Sequence, residues 1–461
     1  MLLFWGLTIF SILFFIFAWK KPDRAIAVTV FALPVYLIRF KTGPLPMTGL
    51  ELMIILLFLS WLIKLLVEEK WSNISFSKYK WLIFLFLVVA TISVFISDNR
   101  IAALGLWKAY FVEPILFFLV FINTIKKREQ WNLIIWSIGA SALLVAIPAM
   151  VQKFTGWGIA NPFWRDEVTR RVVSWYGFPN AVGLYLGPIT MLYVGMFWLQ
   201  LTKLFNCYKT TKKIKLNWKI FFTAAVILLS GVSVFWAETE GALVGLFAGL
   251  VFLGLFYHNK KLRIITIASL VSLVALVTLV SPIKDYVFEK GTLSDRSGQI
   301  RQEQWRETGQ MLNDGRTIFG AGLSNYQTAV APYHQTGIYI RDNTPNFEEK
   351  INTDLAFRKK HWQPTEIYMY PHNIILNFWS ELGLGGVLVM LALVIYFLWN
   401  YRSVKNQENK KVYLILIAVL IMILVHGLVD VPYFKNDLSV FWWLLFGLSI
   451  LLLKNKKEIK I

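Results

Sequence analysis

A single cysteine, Cys207, stands among 461 residues, so no disulfide can close within the chain. Charge is scarce as well. Asp, Glu, Lys and Arg make up 16% of the residues and hydrophobic side chains 57%, more apolar surface than a soluble fold of this length would need. Other absences narrow the chemistry. There is no D-x-D pair to hold a metal-bound nucleotide, no H-E-x-x-H or paired C-x-x-C to hold zinc, and no P-loop. Any reaction must therefore run without ATP, on a donor that is already activated.

What the sequence has in abundance is apolar blocks, mostly of about 17 to 25 residues, the length that crosses a bilayer core as a helix. They fall near 2–19, 25–40, 47–67, 81–97, 101–124, 132–152, 181–202, 219–236, 241–257, 262–281, 372–400, 412–430 and 438–453. The first has no basic residues ahead of it and no small-residue cleavage pattern, and Lys20 and Lys21 follow it; it reads as an uncleaved span. The expected fold class is all-α, a polytopic transmembrane bundle of about 12–13 spans. The expected organisation is N-terminal helices over 1–281, including an outer loop at 153–180, then a large extracytoplasmic loop over 282–371, then C-terminal helices over 372–461.

The chain carries 47 Lys and Arg against 27 Asp and Glu, a net charge of +20. The basic residues are scattered over many separate loops, which argues against nucleic acid as a partner. A single parity places Lys20-Lys21, Lys126-Lys127-Arg128, Lys212-Lys213-Lys215, Lys260-Lys261-Arg263, Lys410-Lys411 and the Lys454 to Lys460 tail all on the cytoplasmic side. The carboxyl terminus is then cytoplasmic and both the 153–180 and 282–371 loops lie outside. A polar loop of such length is usually functional. Its first part, Asp295 to Leu312, reads as an amphipathic helix with Ile300, Trp305, Met311 and Leu312 on the apolar side; Tyr333 to Tyr370 shows no clear period. The 153–180 loop mixes Arg165, Arg170 and Arg171 with Trp157, Trp164, Trp175 and Tyr176. The aromatics suit a membrane interface, but several arginines in a short outer loop do not follow from the positive-inside rule.

Four segments carry chemistry. Pro371-His372-Asn373, followed by Gly383 and Gly386, places a histidine at the expected mouth of a span, where an imidazole stays neutral near pH 7 and can accept a proton; the two glycines suggest close helix contact one span deeper. Arg171-Val-Val-Ser-Trp-Tyr-Gly177-Phe-Pro179-Asn180 puts an arginine ahead of a Pro-Asn pair at a helix start. Arg301-Gln-Glu-Gln-Trp305 is followed by Gly320-Ala-Gly322-Leu-Ser-Asn325-Tyr326. His426 and Asp430 sit four apart and suggest one helix face, as a functional pair or as a structural hydrogen bond.

These motifs and their spacing, from about Asn161 to Asp437, resemble the O-antigen ligase and polymerase family of lipid-linked glycan transferases. The resemblance implies a polyprenyl-diphosphate-linked glycan as donor, presented at the outer face of the bacterial cytoplasmic membrane, and a glycolipid, glycan or protein as acceptor. It implies no cofactor and no metal. His372 would be the general base, with Arg171 and Arg301 as the diphosphate clamp and Arg170 and Arg296 as local alternatives. Asn180, Asn373, His426 and Asp430 would serve the acceptor or the structure. One departure stands out: where many members carry a Ser-Arg-Gly-Ala-like turn, this chain has Glu238-Thr239-Glu240-Gly241-Ala242. Either another arginine compensates or Glu240 contacts the acceptor sugar. Ligase and polymerase are not separated by these residues, and a transporter or flippase for an amphiphile is the rival class.

Overall fold

The computed structural model describes residues 2–42, 45–69, 72, 74–212, 217–257 and 259–454. Lys213, Lys215 and the tail beyond Lys454, used above for the charge parity, lie outside the described residues. The chain begins with α1 (Leu2–Lys20) and α2 (Pro22–Phe31), followed by the antiparallel ribbon β1 (Arg39–Thr42) and β2 (Leu45–Thr48). Then come α3 (Gly49–Val67), α4 (Lys80–Ile96), α5 (Arg100–Trp107), α6 (Glu113–Thr124) and α7 (Arg128–Thr155). A short α8 (Pro162–Arg165) precedes α9 (Pro179–Thr211), α10 (Trp218–Trp236), α11 (Glu240–Phe256) and α12 (Lys260–Leu279). The polar loop holds α13 (Ser281–Gly291), α14 (Arg296–Met311), α15 (Tyr326–Val330), β3 (Gly337–Tyr339), α16 (Phe347–Thr353), α17 (Leu355–His361) and β4 (Trp362–Pro364). The chain closes with α18 (Ile374–Asn400), α19 (Gln407–His426) and α20 (Asn436–Lys454).

Among the described residues nine helices are long and apolar enough to cross a membrane, and three shorter apolar ones accompany them at Trp5–Lys20, Lys80–Ile96 and Glu240–Phe256. The chain is an all-α, multi-pass membrane protein. The apolar run at 25–40 is not a single spanning helix. Pro34 has no N–H to continue the ladder, so α2 stops at Phe31, a 3₁₀ turn follows over Leu33–Leu37, and the chain enters the ribbon at Arg39. Thr48 and Glu51 then start α3 as a capping box: Glu51 N donates to Thr48 Oγ1 at 3.3 Å and Thr48 N to Glu51 Oε2 at 2.8 Å.

The core of the bundle lies around α9, α19 and α20, whose residues are mostly buried, whereas α12 buries none. Close packing of α11 on α19 follows from a stripe at Gly241, Gly245 and Gly249. A Cβ at Gly245 would stand 2.7 Å from the Met422 carbonyl oxygen, and one at Gly249 would stand 3.0 Å from that of Ala418. Spacing of four residues keeps the stripe on one face, and lipid offers no hydrophobic drive, so contact of this closeness is what brings membrane helices together.

Gly383 does something other than helix packing. It has φ +72 and ψ −172, a conformation open essentially to glycine alone, and it breaks α18. At the break Leu384 N donates to Ile318 O at 3.0 Å, and Ser380 O accepts from Ala321 N at 2.6 Å. The helix thus exchanges a rung of its own ladder for a bond to the polar loop.

Candidate active site

That exchange is one of several that seat the loop on the bundle. The Gly320 to Tyr326 turn is held by backbone and side-chain bonds: Leu323 N donates to Ser93 Oγ at 2.9 Å, Ser324 N to Glu381 Oε2 at 2.7 Å, and Asn325 Nδ2 to Asp98 Oδ2 at 3.0 Å. Its polar groups are spent on α4, α18 and the α4–α5 connection. The motif builds a joint.

Helix α14 forms where the amphipathic reading placed it. Asp295 caps it, accepting from Gly298 N at 3.2 Å. Trp305 Nε1 donates to Pro371 O at 2.8 Å, which clamps the helix to the chain just before His372. His372 Nδ1 is 3.1 Å from Oε1 of the buried Gln304, and the ring sits against Tyr368 and Tyr370 at centroid distances of 5.2 and 4.9 Å. His372 itself has φ +46, a left-handed conformation that a non-glycine residue holds only when its surroundings fix it, at a cost of roughly 1–3 kcal/mol. Burial lowers the proton affinity of the imidazole below the ordinary histidine range; Asp430 opposes that, while Arg301 and Lys435 reinforce it. A neutral, half-buried imidazole can accept a proton.

Asn373 is taken up by structure. Its Oδ1 accepts from Ile375 N and Leu376 N at 2.9 and 3.1 Å, capping α18, and its Nδ2 donates to Leu428 O at 3.0 Å. The helix therefore starts at Ile374 rather than at Pro371. His426 and Asp430 do not share a helix face. Helix α19 ends at His426, and Asp430 lies buried in the following turn, where Oδ1 accepts from Val431 N at 2.8 Å. His426 instead lines the approach of Gly241 on α11.

Arg171 closes the α10–α11 turn. Its Nε and Nη2 donate to Ala237 O at 3.0 and 2.8 Å, Nη2 also reaches Glu238 O at 3.1 Å, and Glu238 Oε2 is 3.6 Å from Nε. Pro179 and Asn180 stand beside the same turn, because Thr239 Oγ1 donates to Pro179 O at 3.4 Å. The guanidinium is held below the usual arginine range by burial first; Glu238 and Glu240 push back and Arg301 adds to the depression. Arg301 thus acts on both His372 and Arg171, which ties the two loops to one neighbourhood. Its own Nη1 donates to Ser297 Oγ at 2.9 Å, while Nε is buried with no hydrogen-bond partner among the described residues.

Of the two local alternatives, Arg170 spends its guanidinium on carbonyls, donating from Nε to Arg165 O at 3.0 Å and from Nη1 to Lys153 O at 3.2 Å. Arg296 is exposed and bonded to Gln363. Glu240 is paired with Lys290 of α13, whose Nζ lies 2.8 Å from both Glu240 Oε1 and Asp295 Oδ2. Sequence reasoning missed Lys290 and Gln304. Lys290 lies fifty positions from its partner, and Gln304 reads as one more polar residue on an amphipathic helix.

No curated protein matches the chain. Residues 224–391, from α10 through the polar loop to the middle of α18, match the family model described as O-antigen ligase.

Proposed function

We propose that this membrane glycosyltransferase moves a glycan from a polyprenyl-diphosphate donor to a hydroxyl of a glycolipid, glycan or protein acceptor at the outer face of the cytoplasmic membrane. The observation that carries the reading is the docking of His372 on α14, the helix that bears Arg301: Gln304 Oε1 lies 3.1 Å from His372 Nδ1 and Trp305 Nε1 donates to Pro371 O at 2.8 Å, three and four residues after Arg301. The acceptor oxygen forms a bond to the anomeric carbon as its proton passes to His372. The bond from that carbon to the phosphate oxygen breaks, and its electron pair leaves with the polyprenyl diphosphate. Arg301 and Arg171 stabilise the developing charge, which is strongest where water is excluded. Attack opposite the leaving group in one displacement inverts the anomeric centre, and no metal ion enters the scheme.

Purified protein given a defined polyprenyl-diphosphate glycan and candidate acceptors should release the lipid diphosphate and extend the acceptor. Chelation by EDTA should leave the rate unchanged; loss of activity that Mg²⁺ restores would overturn the arginine clamp. A transporter reading draws on Glu113, which is buried in a span, faces Lys108 Nζ at 3.9 Å and has no hydrogen-bond partner among the described residues. That reading requires the intact donor to cross vesicles without cleavage, so the same preparation in liposomes separates the two.

A further inference from the structure

Gln304 is buried, its Oε1 faces His372 Nδ1 at 3.1 Å, and its Nε2 is buried with no hydrogen-bond partner among the described residues. An orphaned amide N–H₂ destabilises the fold, so a glutamine here is hard to account for by stability alone. Its neighbour on α14, Trp305, grips Pro371 O, which fixes the distance between the helix and the histidine. Histidine has two ring nitrogens, and which one carries the proton is set by the bond that the other makes.

We propose that Gln304 is a positioning residue for the transfer reaction: its Oε1 accepts the Nδ1–H of His372 and so keeps Nε2 unprotonated for the acceptor hydroxyl. This rests on the reading of His372 as the general base. An amide can orient the ring without charging it, whereas a carboxylate at the same place would favour the imidazolium. The other charged and titratable groups that face the ring are Arg301 on α14, Asp430 and Lys435 on the turn after α19, and Tyr368 and Tyr370 on its own segment.

The first measurement uses the unaltered protein. With ¹⁵N-histidine incorporated, and the His372 signals identified by their loss in His372→Asn, Nδ1 should be protonated and Nε2 bare near neutral pH. A proton on Nε2 overturns the proposal. In turnover, Gln304→Met keeps the volume and removes the acceptor; kcat should fall about ten- to a hundredfold while the KM for donor stays within about twofold. Gln304→Glu keeps the acceptor and adds charge, so the acidic limb of the kcat/KM profile should move to higher pH. Wild-type kcat in the Met variant, or an unmoved limb in the Glu variant, removes Gln304 from the reaction while leaving His372 in place. If His372→Ala itself turns over normally, the general-base reading fails instead, whatever Gln304 does.

Discussion

At the residue scale, His372 and Arg301 should fail differently. His372→Ala should cost about 10² to 10⁴ in turnover while donor binding hardly moves, because a positioned base acts on the proton in flight. Arg301→Ala should weaken both donor binding and turnover, by about 10²-fold or more in the latter, with Lys restoring only part since it cannot present a planar fork. Arg301 is the cleaner test of the clamp: its bond to Ser297 is local, whereas Arg171 holds the Ala237 and Glu238 carbonyls. The pH profile carries a sign. The base must be neutral, and burial with Arg301 and Lys435 depresses its proton affinity against the pull of Asp430. Activity should therefore persist as pH falls through the ordinary histidine value of about 6.5 and be lost only below it. An acidic limb above that value, measured in kcat/KM, would contradict the site's electrostatics. His372 and the arginines can be nominated from the sequence because their residue types and spacing are distinctive. Asn373 was not resolved between binding and capping, since only the fold shows its oxygen on Ile375 N and Leu376 N.

At the scale of elements, glycine does two separate jobs. Gly241, Gly245 and Gly249 bring α11 against α19, and the atoms a side chain would meet at Gly245 and Gly249 include backbone oxygens, which cannot move aside like the tip of a side chain. Gly245→Leu should therefore destabilise the bundle by about 1–3 kcal/mol, the usual range for overpacking, and lower the thermal midpoint in detergent. An unchanged midpoint would mean that the two helices can separate freely. Gly383 is a break. It lets α18 accept Ala321 N at Ser380 O and donate from Leu384 N to Ile318 O, so the loop is anchored in the bundle rather than laid over it. Gly383, read from sequence as half of a packing pair, is thus a break instead, because spacing alone does not reveal φ. The 25–40 run shows the same limit: hydropathy counts apolar residues, but Pro34 decides whether the helix continues.

For the whole molecule, the 153–180 and 282–371 loops meet at one end of the bundle, where the α10–α11 turn contacts Arg171 from one side and Lys290 from the other. With the native Cys207 replaced by serine, single cysteines at the exposed positions Val168 and Ser324 should react with an impermeant thiol reagent added outside intact cells. In the unaltered protein Cys207, exposed near the far end of α9, should react only once the cytoplasmic face is opened. The opposite pattern would invert the topology. Composition and periodicity were enough to determine the all-α membrane class and the helix over Arg296–Met311, because burial in lipid and helical period are written residue by residue. Motif spacing was enough to nominate His372, Arg171 and Arg301. Only the tertiary structure decided that Gln304 faces the imidazole, that Lys290 answers Glu240, and that His426 and Asp430 part at a helix end. Each of these depends on where two distant stretches of chain come to rest, and side-chain contact across such a separation follows from packing, which no local pattern records.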